Sequence, residues 1–265
     1  MLSFAKYEGI GNDFVVVDAD NEGSLSVEQA KQLCDRHFGI GADGVLLVLP
    51  SSLEGARARM VVLNADGSRP EMCGNGLRCV ALHLSRRDER ESADYLLETD
   101  AGPRTASVAR QREQGEVTLG MGRGLLGSEL VAEHGGQALR FSRVSMGNPH
   151  AVAFDTGLDE RALDELGPRV SAGEPGGTNV EVVTRVGPQA FSVLVWERGV
   201  GRTLACGTGA AAVAVMAAVS GRAPFDEPME VQLPGGPLSI VVAKETLEVT
   251  LRGPARLVFS GQVAP

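Results

Sequence analysis

The four residues Cys-Gly-Asn-Gly at positions 73–76 recur as Cys-Gly-Thr-Gly at positions 206–209, and an apolar segment with helical spacing follows each. A second pair of motifs occurs in the same order, GNDFVVVD at residues 11–18 and GNPHAVAFD at residues 147–155. Two motifs that repeat in one order at about half the chain length indicate a duplicated unit. We therefore expect two halves of similar fold, each of which supplies one cysteine at a helix start.

The remaining sequence predicts many short strands and few helices. Ser26 and Gln29 form the capping-box pattern of a helix that we expect to end near His37, and a second amphipathic helix is expected at residues 158–166. The helix after the first Cys-Gly motif has one apolar stripe, whereas the helix after the second is apolar on all sides, as expected for a helix enclosed by strands. Strands are predicted at residues 14–17, 45–49, 60–63, 116–119, 151–154, 180–183, 191–196, 238–242, 247–251 and 257–259.

These elements predict an α+β fold with two pseudo-symmetric domains, each a mixed or antiparallel barrel-like sheet wrapped around a central helix. The glycine-rich segment 120–127 suits a domain boundary. We place the N-terminal half at residues 1–122 and the C-terminal half at residues 123–265. The last dozen residues are candidates to pack back on the N-terminal half.

Composition excludes several classes of function. The 265 residues include 25 Lys and Arg and 34 Asp and Glu, a net charge of −9, and no basic cluster suits a phosphate backbone. The longest apolar run, residues 210–219, is too short to cross a bilayer, and the N-terminus lacks the pattern of a signal peptide. We expect a cytoplasmic protein with no nucleic-acid or membrane partner.

Its four cysteines show no CxxC pair, so we expect thiols and no metal site.

A cysteine directly before a helix faces the N–H groups of the first turn and the positive end of the helix dipole, and both favour thiolate over thiol. Such a sulfur can act as a base, and the same N–H groups can hold a carboxylate. Two such helix starts on opposite sides of one α-carbon would form a two-base racemase, in which one thiolate removes the α-proton and the other thiol returns a proton to the opposite face. We therefore assign Cys73 and Cys206 to catalysis. Cys34 and Cys79 lie on apolar helix faces and are assigned to packing.

Further motifs occur in a fixed order along the whole chain. They are GNDF at 11–14, NADGS at 64–68, EMCGNGLRC at 71–79, GNPH at 147–150, TNV at 178–180, WERG at 196–199, ACGTG at 205–209, Gly253-Pro254 and Val258-Phe259. Together they resemble the diaminopimelate epimerase family. The resemblance implies an isomerase that interconverts LL- and meso-diaminopimelate, a small-molecule substrate, in lysine and peptidoglycan-precursor biosynthesis. It also implies a homodimer that needs neither pyridoxal phosphate nor a metal ion.

The resemblance implies roles for individual residues. Cys73 and Cys206 would be the acid/base thiols. The backbone amides of Gly74, Asn75, Gly207 and Thr208 would bind the carboxylate at the reacting centre, and Asn12, Asn64, Asn148, Asn179, Glu197 and Arg198 would hold the amines and the distal carboxylate. These residue types suit a diamino-dicarboxylate, because carboxylates and carbonyls accept hydrogen bonds from ammonium groups and a guanidinium binds a carboxylate. His150 is a candidate for a supporting catalytic role and equally for a structural one.

One position departs from the family pattern. Gly44 stands where some members carry glutamine, so any contact that the glutamine side chain makes is absent here. We expect the wall of the active site at this position to be looser or to be built from backbone. The glycine patterns at 39–44 and 122–127 match the spacing of a dinucleotide-binding loop but lack its strand-to-helix context, so nucleotide binding is not predicted.

The sequence leaves two alternatives open, a related racemase and a protein that is not an enzyme, and its thiol pair argues against a third, the PhzF-like isomerases. Proteins similar to proline racemase and hydroxyproline epimerase share the paired cysteines. In their form of the first motif, histidine stands at the position of Asn75. PhzF-like isomerases share the fold without the thiol pair. Outside the enzymes, a non-catalytic amino-acid-binding or thiol redox-sensing protein would also use two cysteines. The set of Asn, Glu and Arg residues favours the enzyme.

Overall fold

The computed structural model describes residues 1–264, which form two compact units. Unit 1 comprises Met1–Leu119 and the segment that starts at Arg252, and unit 2 comprises Gly120–Leu251. The final strand of the chain begins in unit 2 and ends in unit 1, where residues 256–263 pair antiparallel with the first strand.

Strands outnumber helices in both units. Unit 1 contains β1 (Leu2–Gly9), β2 (Asn12–Asp18), a single 3-10 turn (Glu22–Ser24), α1 (Val27–Cys34), β3 (Gly44–Leu49), β4 (Ala58–Asn64), α2 (Gly74–Arg87), β5 (Ser92–Glu98), β6 (Arg104–Gln111) and most of β7 (Gln114–Arg123). Unit 2 contains β8 (Leu125–His134), β9 (Gln137–Ser145), β10 (Pro149–Phe154), α3 (Glu160–Ala172), β11 (Asn179–Gly187), β12 (Ala190–Glu197), β13 (Gly201–Arg202), α4 (Gly207–Val219), β14 (Met229–Leu233) and β15 (Gly236–Val242). The last strand is β16 (Glu248–Val263).

The two units repeat one order of strand pairing. In unit 1 the pairs β1–β2, β2–β3, β3–β4, β4–β5 and β5–β6 are antiparallel, parallel, antiparallel, parallel and antiparallel. The pairs β9–β10, β10–β11, β11–β12, β12–β14 and β14–β15 of unit 2 follow the same alternation. Each parallel pair is joined by a connection that contains a helix, α1 and α2 in unit 1 and α3 and α4 in unit 2. The predicted duplication is therefore a duplication of topology.

A buried helix lies at the centre of each unit. α2 contacts every strand from β1 to β6, and α4 contacts β9, β10, β11, β14 and β15. All residues of α4 except Thr208, Met216 and Val219 are buried, and they are mostly alanine and valine, whose small side chains let strands approach the helix from several sides. The prediction of strands around a central helix is confirmed in both units.

Helix α2 also carries a buried arginine that the sequence did not reveal. Arg78 is fully buried, and its Nε donates a hydrogen bond to the carbonyl oxygen of Pro254 in β16 at 3.1 Å. Desolvation lowers the pKa of this guanidinium. A Cβ atom on Gly9 would lie 3.0 Å from Arg78 Nη2, so glycine leaves room for the arginine at the end of β1.

Helix α1 shows where the local predictions succeed and fail. The capping box of Ser26 and Gln29 is present. The helix ends at Cys34, earlier than predicted. The next residue, Asp35, closes a turn, because its Oδ1 accepts hydrogen bonds from the backbone N–H groups of residues 37 and 38. Helix α3, in contrast, continues to Ala172, beyond the predicted end.

Several strands are absent from the predictions, namely β1, β5, β6, β8, β9, β13 and β14. In β6, RTASVARQ, the buried face holds only Ala106 and Val108, so the apolar alternation is weak, whereas β14, MEVQL, alternates clearly and is nevertheless missing from the predictions. The strands predicted at 247–251 and 257–259 are one strand of 16 residues, β16, which continues through Gly253-Pro254.

Gly167 tests the packing of α3 against β12, which carries Trp196. A Cβ atom on Gly167 would lie 2.6 Å from Trp196 Cγ and 2.8 Å from Trp196 Cβ. Alanine adds about 1 kcal/mol of helix propensity, but overpacking costs about 1–3 kcal/mol, and the contact is with the fixed base of the ring. We expect Gly167→Ala to lower the free energy of unfolding, measured in urea, by up to about 2 kcal/mol and to change the emission of Trp196, the only tryptophan.

Gly173→Ala is the matched control in the same helix region. A Cβ atom there would lie 3.3 Å from Arg169 O, and the backbone is already helical, so stability and emission should change little. Wild-type stability and emission in Gly167→Ala would show that the contact is not tight.

Candidate active site

Cys73 caps the N-terminus of α2. Its backbone is extended, its Sγ accepts a hydrogen bond from the N–H of Gly76 at 3.4 Å, and its carbonyl oxygen accepts one from the N–H of Leu77 at 2.8 Å. Gly74 and Asn75 form the first turn and are buried. The sequence therefore places the first sulfur at a helix start, as predicted.

Asn12 is held at both ends of its side-chain amide. Its Nδ2 donates to Asp43 Oδ2 at 2.6 Å, and its Oδ1 accepts from Asn75 Nδ2 at 3.1 Å. Asp43 also accepts a hydrogen bond from Arg36 at 2.7 Å, which fixes the carboxylate. Unit 1 thus brings two predicted binding residues, Asn12 and Asn75, to the turn that follows Cys73.

Asn64 lies at the same edge of the sheet, because Phe14, Gly44 and Asn64 align across β2, β3 and β4. Its Nδ2 donates to Ser68 Oγ at 2.9 Å and its backbone N–H donates to the carbonyl oxygen of Ser68 at 2.9 Å, so it organises its own turn. A Cβ atom on Gly44 would lie 2.8 Å from the carbonyl oxygen of Leu63. The wall at Gly44 is built from closely paired backbone and leaves no room for a side chain.

Cys206 has the same position on α4. Its Sγ accepts from the N–H of Gly209 at 3.4 Å, its carbonyl oxygen accepts from the N–H of Ala210 at 2.9 Å, and Thr208 Oγ1 lies 3.6 Å from the sulfur. Gly207 and Thr208 form the first turn, where helix geometry provides no intrahelical acceptor for the N–H groups. These two groups can hold a carboxylate, as the sequence predicts.

Burial dominates the ionisation of Cys206. Desolvation raises the pKa of this thiol well above its ordinary value, the carboxylates of Glu197 and Glu181 raise it further, and the hydrogen bonds from Thr208 and Gly209 oppose the rise. The expectation that the helix start favours thiolate is therefore outweighed at this cysteine. Cys206 carries its proton at neutral pH.

Glu197, at the end of β12, is hydrogen-bonded to this thiol. Desolvation raises the pKa of Glu197, and hydrogen bonds with Thr203 and Cys206 oppose the rise. Thr203 Oγ1 donates to Glu197 Oε1 at 2.5 Å. The next residue, Arg198, is exposed, and its Nη1 donates to the carbonyl oxygen of Gly176 at 3.0 Å.

Asn148 and His150 reach the same helix start from β10. Asn148 Nδ2 donates to Thr208 Oγ1 at 3.3 Å, and Asn148 Oδ1 lies 3.0 Å from His150 Nε2. His150 Nδ1 lies 2.7 Å from Glu181 Oε1, and both of these side chains are fully buried. Asn148 is therefore the direct neighbour of Thr208, and His150 lies behind it.

Asn179 uses its amide to join backbone segments. Its Oδ1 accepts from the N–H of Arg198 at 2.9 Å, and its Nδ2 donates to the carbonyl oxygen of Pro149 at 3.0 Å. These bonds fix the positions of Arg198 and of the residue that precedes His150. A direct contact of Asn179 with substrate stays a prediction.

Each unit therefore gathers part of the predicted set around its own cysteine. Unit 1 joins Asn12 and Asn75 at the Cys73 turn, and unit 2 joins Asn148, His150, Glu197 and Thr208 at the Cys206 turn. Sequence reasoning missed Asp43 and Glu181, the acids that hold these groups. Glu181 had a signal in the sequence, since it is a single carboxylate within the apolar run VEVV at 180–183.

The other two cysteines pack in the interior of unit 1. Cys34 belongs to a hydrophobic cluster with Leu33 and Val45, and burial raises its pKa to about 11. Cys79 is fully buried in α2, and burial raises its pKa as well. Neither sulfur lies at a helix start.

Residues 1–264 contain no group of three or more His, Cys, Asp and Glu side chains placed to hold a metal ion. Within the same residues, no helix is both long and apolar enough to span a membrane.

Comparison with known proteins gives a consistent family. A family model described as diaminopimelate epimerase matches residues 4–125 and 142–258. A diaminopimelate epimerase of Synechocystis sp. is 42% identical over 98% of this chain and 98% of that protein. A chloroplastic diaminopimelate epimerase of Oryza sativa subsp. japonica is 38% identical over 98% of this chain and 79% of that protein.

Solved structures extend the similarity of fold to more distant proteins. A probable proline racemase from Agrobacterium radiobacter K84 has a TM-score of 0.77 at 18% identity and covers 100% of this chain and 93% of its own. A PhzF-family protein from Bacillus anthracis has a TM-score of 0.78 at 17% identity, with coverages of 100% and 99%. At such identities the likeness concerns the fold alone.

The raised pKa of Cys206 predicts how its alkylation depends on pH. Only the thiolate reacts with iodoacetamide, so the rate of Cys206 carbamidomethylation should increase with pH. The midpoint of this increase should lie at higher pH in the folded protein than in the denatured chain, as measured by mass spectrometry between about pH 6 and pH 10. Glu197→Gln removes one neighbouring negative charge and should shift the midpoint to lower pH. Glu248→Gln, at an exposed position, should leave it unchanged. A folded-state midpoint at or below that of the denatured chain would contradict the role of burial.

Proposed function

The chain belongs to the diaminopimelate epimerase family, and on that premise we propose that it interconverts LL- and meso-diaminopimelate. The proposal rests on the curated relatives of that name, which align with almost the whole chain. The observation that carries the chemistry is the repeated helix start, in which a cysteine sulfur accepts the N–H of a glycine three residues later. Each sulfur then has a polar neighbour set that suits an amino acid.

We assign the reaction to a two-thiol mechanism. One sulfur, as thiolate, takes the α-proton, and the electron pair of the broken C–H bond spreads into the adjacent carboxylate. The other sulfur, as thiol, gives its proton to the opposite face of the same carbon. Atoms and charge balance, and the two sulfurs have exchanged protonation states. The reverse reaction therefore starts from the opposite state.

The carboxylate at the reacting centre would be held by helix starts. The N–H groups of Gly207 and Thr208, and those of Gly74 and Asn75, belong to first turns, where the helix dipole favours an anion. Negative charge on this carboxylate increases as the α-proton leaves. Donors in fixed positions therefore stabilise the transition state more than the bound substrate.

We assign different starting roles to the two sulfurs. Since its pKa is raised, Cys206 begins as the proton donor, and the epimer with its α-hydrogen directed at Cys73 would be consumed from this state. For the reverse direction Cys206 must lose its proton. An ammonium group of the substrate bound next to Glu197 would offset the negative charge of the Glu197 carboxylate, which opposes the ionisation of Cys206.

The distal end of the substrate needs a cation for its carboxylate. Arg198 is exposed beside Glu197, and the backbone of this dipeptide is fixed by Asn179. We propose that its guanidinium binds the distal carboxylate, while Asn12, Asn64 and Asn148 accept from the amines or donate to carboxylate oxygens. A cytoplasmic homodimer that serves lysine and peptidoglycan-precursor biosynthesis completes the proposal. Sedimentation velocity of the purified protein tests the dimer.

Proton exchange in heavy water tests the reaction directly. Incubation with LL-diaminopimelate in deuterium oxide under reducing conditions should remove the α-proton NMR signal and produce the meso form. Cys73→Ala and Cys206→Ala should each lower epimerisation by about 10²–10⁴-fold or more, the usual contribution of a positioned acid or base. Cys34→Ala removes a packing thiol of unit 1 and should keep most of the activity.

Other outcomes have distinct meanings. Full turnover by either catalytic variant would refute the two-thiol assignment. Exchange with proline or hydroxyproline but not with diaminopimelate would make the chain a related racemase. No exchange with any of the three would favour a binding or redox-sensing protein.

A further inference from the structure

Glu181 is a buried carboxylate that the proposed mechanism does not use. It lies in β11 between Val180 and Val182, and all three residues are buried. Burying a carboxylate is costly unless a partner compensates for the lost hydration. Its hydrogen-bond partner therefore indicates what the carboxylate does.

A continuous chain of hydrogen bonds leads from Glu181 to the sulfur of Cys206. The separations are 2.7 Å from Glu181 Oε1 to His150 Nδ1, 3.0 Å from His150 Nε2 to Asn148 Oδ1, 3.3 Å from Asn148 Nδ2 to Thr208 Oγ1, and 3.6 Å from Thr208 Oγ1 to Cys206 Sγ. Every member belongs to unit 2. Glu181 also lies close to the helix start, since a Cβ atom on Gly209 would be 2.7 Å from its Oε1.

The amide of Asn148 defines the direction of the hydrogen bonds in the chain. The bond between Glu181 and His150 Nδ1 contains one proton, on either the carboxylate or the ring. With the proton on the carboxylate, or with a doubly protonated ring, Nε2 carries hydrogen, whereas a neutral ring protonated on Nδ1 would leave Nε2 as an acceptor. The side-chain oxygen of Asn148 can only accept, so in the observed arrangement Nε2 carries hydrogen and donates to it.

The donor on His150 sets the orientation of the Asn148 amide. With Oδ1 bound to His150 Nε2, Nδ2 points to Thr208 and donates to its hydroxyl oxygen. The hydroxyl then keeps its own hydrogen available for the sulfur of Cys206. A rotated amide would present its oxygen to Thr208 and draw that hydrogen away from the sulfur.

We propose that Glu181 is a positioning residue for the thiol chemistry of unit 2, acting through His150 on the amide of Asn148 and the hydroxyl of Thr208. The kinetic part of this inference rests on the proposed function. Unit 1 offers independent support, because there too a carboxylate, Asp43, orients the asparagine that contacts the first turn after the cysteine. An acid behind the asparagine is thus common to both units.

Three variants of the full-length protein separate positioning from stability. Glu181→Leu removes both oxygens and should lower kcat by about 10–100-fold with a smaller change in KM, a size typical of lost support to a catalytic group. Glu181→Gln can donate to Nδ1 and keep hydrogen on Nε2, so it should stay within about threefold of wild type. Val182→Ala, the next residue in β11, is the control for lost packing.

Two results would overturn the proposal from kinetics. The first is a kcat in Glu181→Leu that equals that of Val182→Ala at matched thermal stability. The second is additivity with Asn148→Ala. If Glu181 acts through Asn148, then adding Glu181→Leu to the Asn148→Ala variant should lower kcat little further. A further loss of kcat as large as in the single Glu181→Leu variant would show that Glu181 acts independently of Asn148.

Nitrogen-15 NMR of the His150 ring tests the same inference without catalysis. The wild type and Glu181→Gln should show a single state with hydrogen on Nε2, and Glu181→Leu should show a mixture of tautomers. Unchanged ring signals in Glu181→Leu would refute the positioning role even if the protein is an epimerase. Absence of α-proton exchange in the wild type would refute the proposed function and leave this measurement valid.

Discussion

Both central helices begin with a cysteine whose sulfur replaces the oxygen that usually caps a helix. Sγ accepts the N–H of the third residue of α2 and of α4, at 3.4 Å in each case. This bond fixes the sulfur at the edge of the first turn, and it requires glycine there, since a Cβ on Gly209 would meet both Glu181 and the cysteine itself. The strands that enclose each helix hold the turn in place, so the position of each thiol depends on the whole unit around it.

The same burial that positions Cys206 also opposes its ionisation. A helix dipole contributes about 0.3–1 kcal/mol at an exposed terminus, whereas full burial can shift a pKa by several units, at about 1.4 kcal/mol each. Desolvation therefore outweighs the helix start, and the carboxylates of Glu197 and Glu181 add to it. A thiol with these neighbours is suited to donate a proton first. In the proposed mechanism, its conversion to a base would depend on charges that arrive with the substrate.

Motifs that repeat were the most informative part of the sequence. The pairs of glycine motifs predicted the duplicated topology, and the Ser26 capping box predicted the start of α1, because both are local patterns with direct physical causes. Strand β6 was missed because its buried face holds only an alanine and a valine between polar residues, which gives weak periodicity. The roles of Asp43 and Glu181 were not visible, since each depends on a partner that is distant in sequence, Asn12 for the first and His150 for the second.

The duplicated design has diverged in how the acid is supported. In unit 1, Asp43 is exposed, binds Asn12 directly and is balanced by Arg36, whose charge is permanent. In unit 2, Glu181 is buried and reaches its asparagine through His150, whose Nδ1 lies 2.7 Å from the carboxylate. A charge near the surface is screened by water, whereas a buried hydrogen-bonded pair is screened less and acts at short range on its neighbours. The carboxylates that support the asparagines of the two halves therefore differ in burial and in their partner.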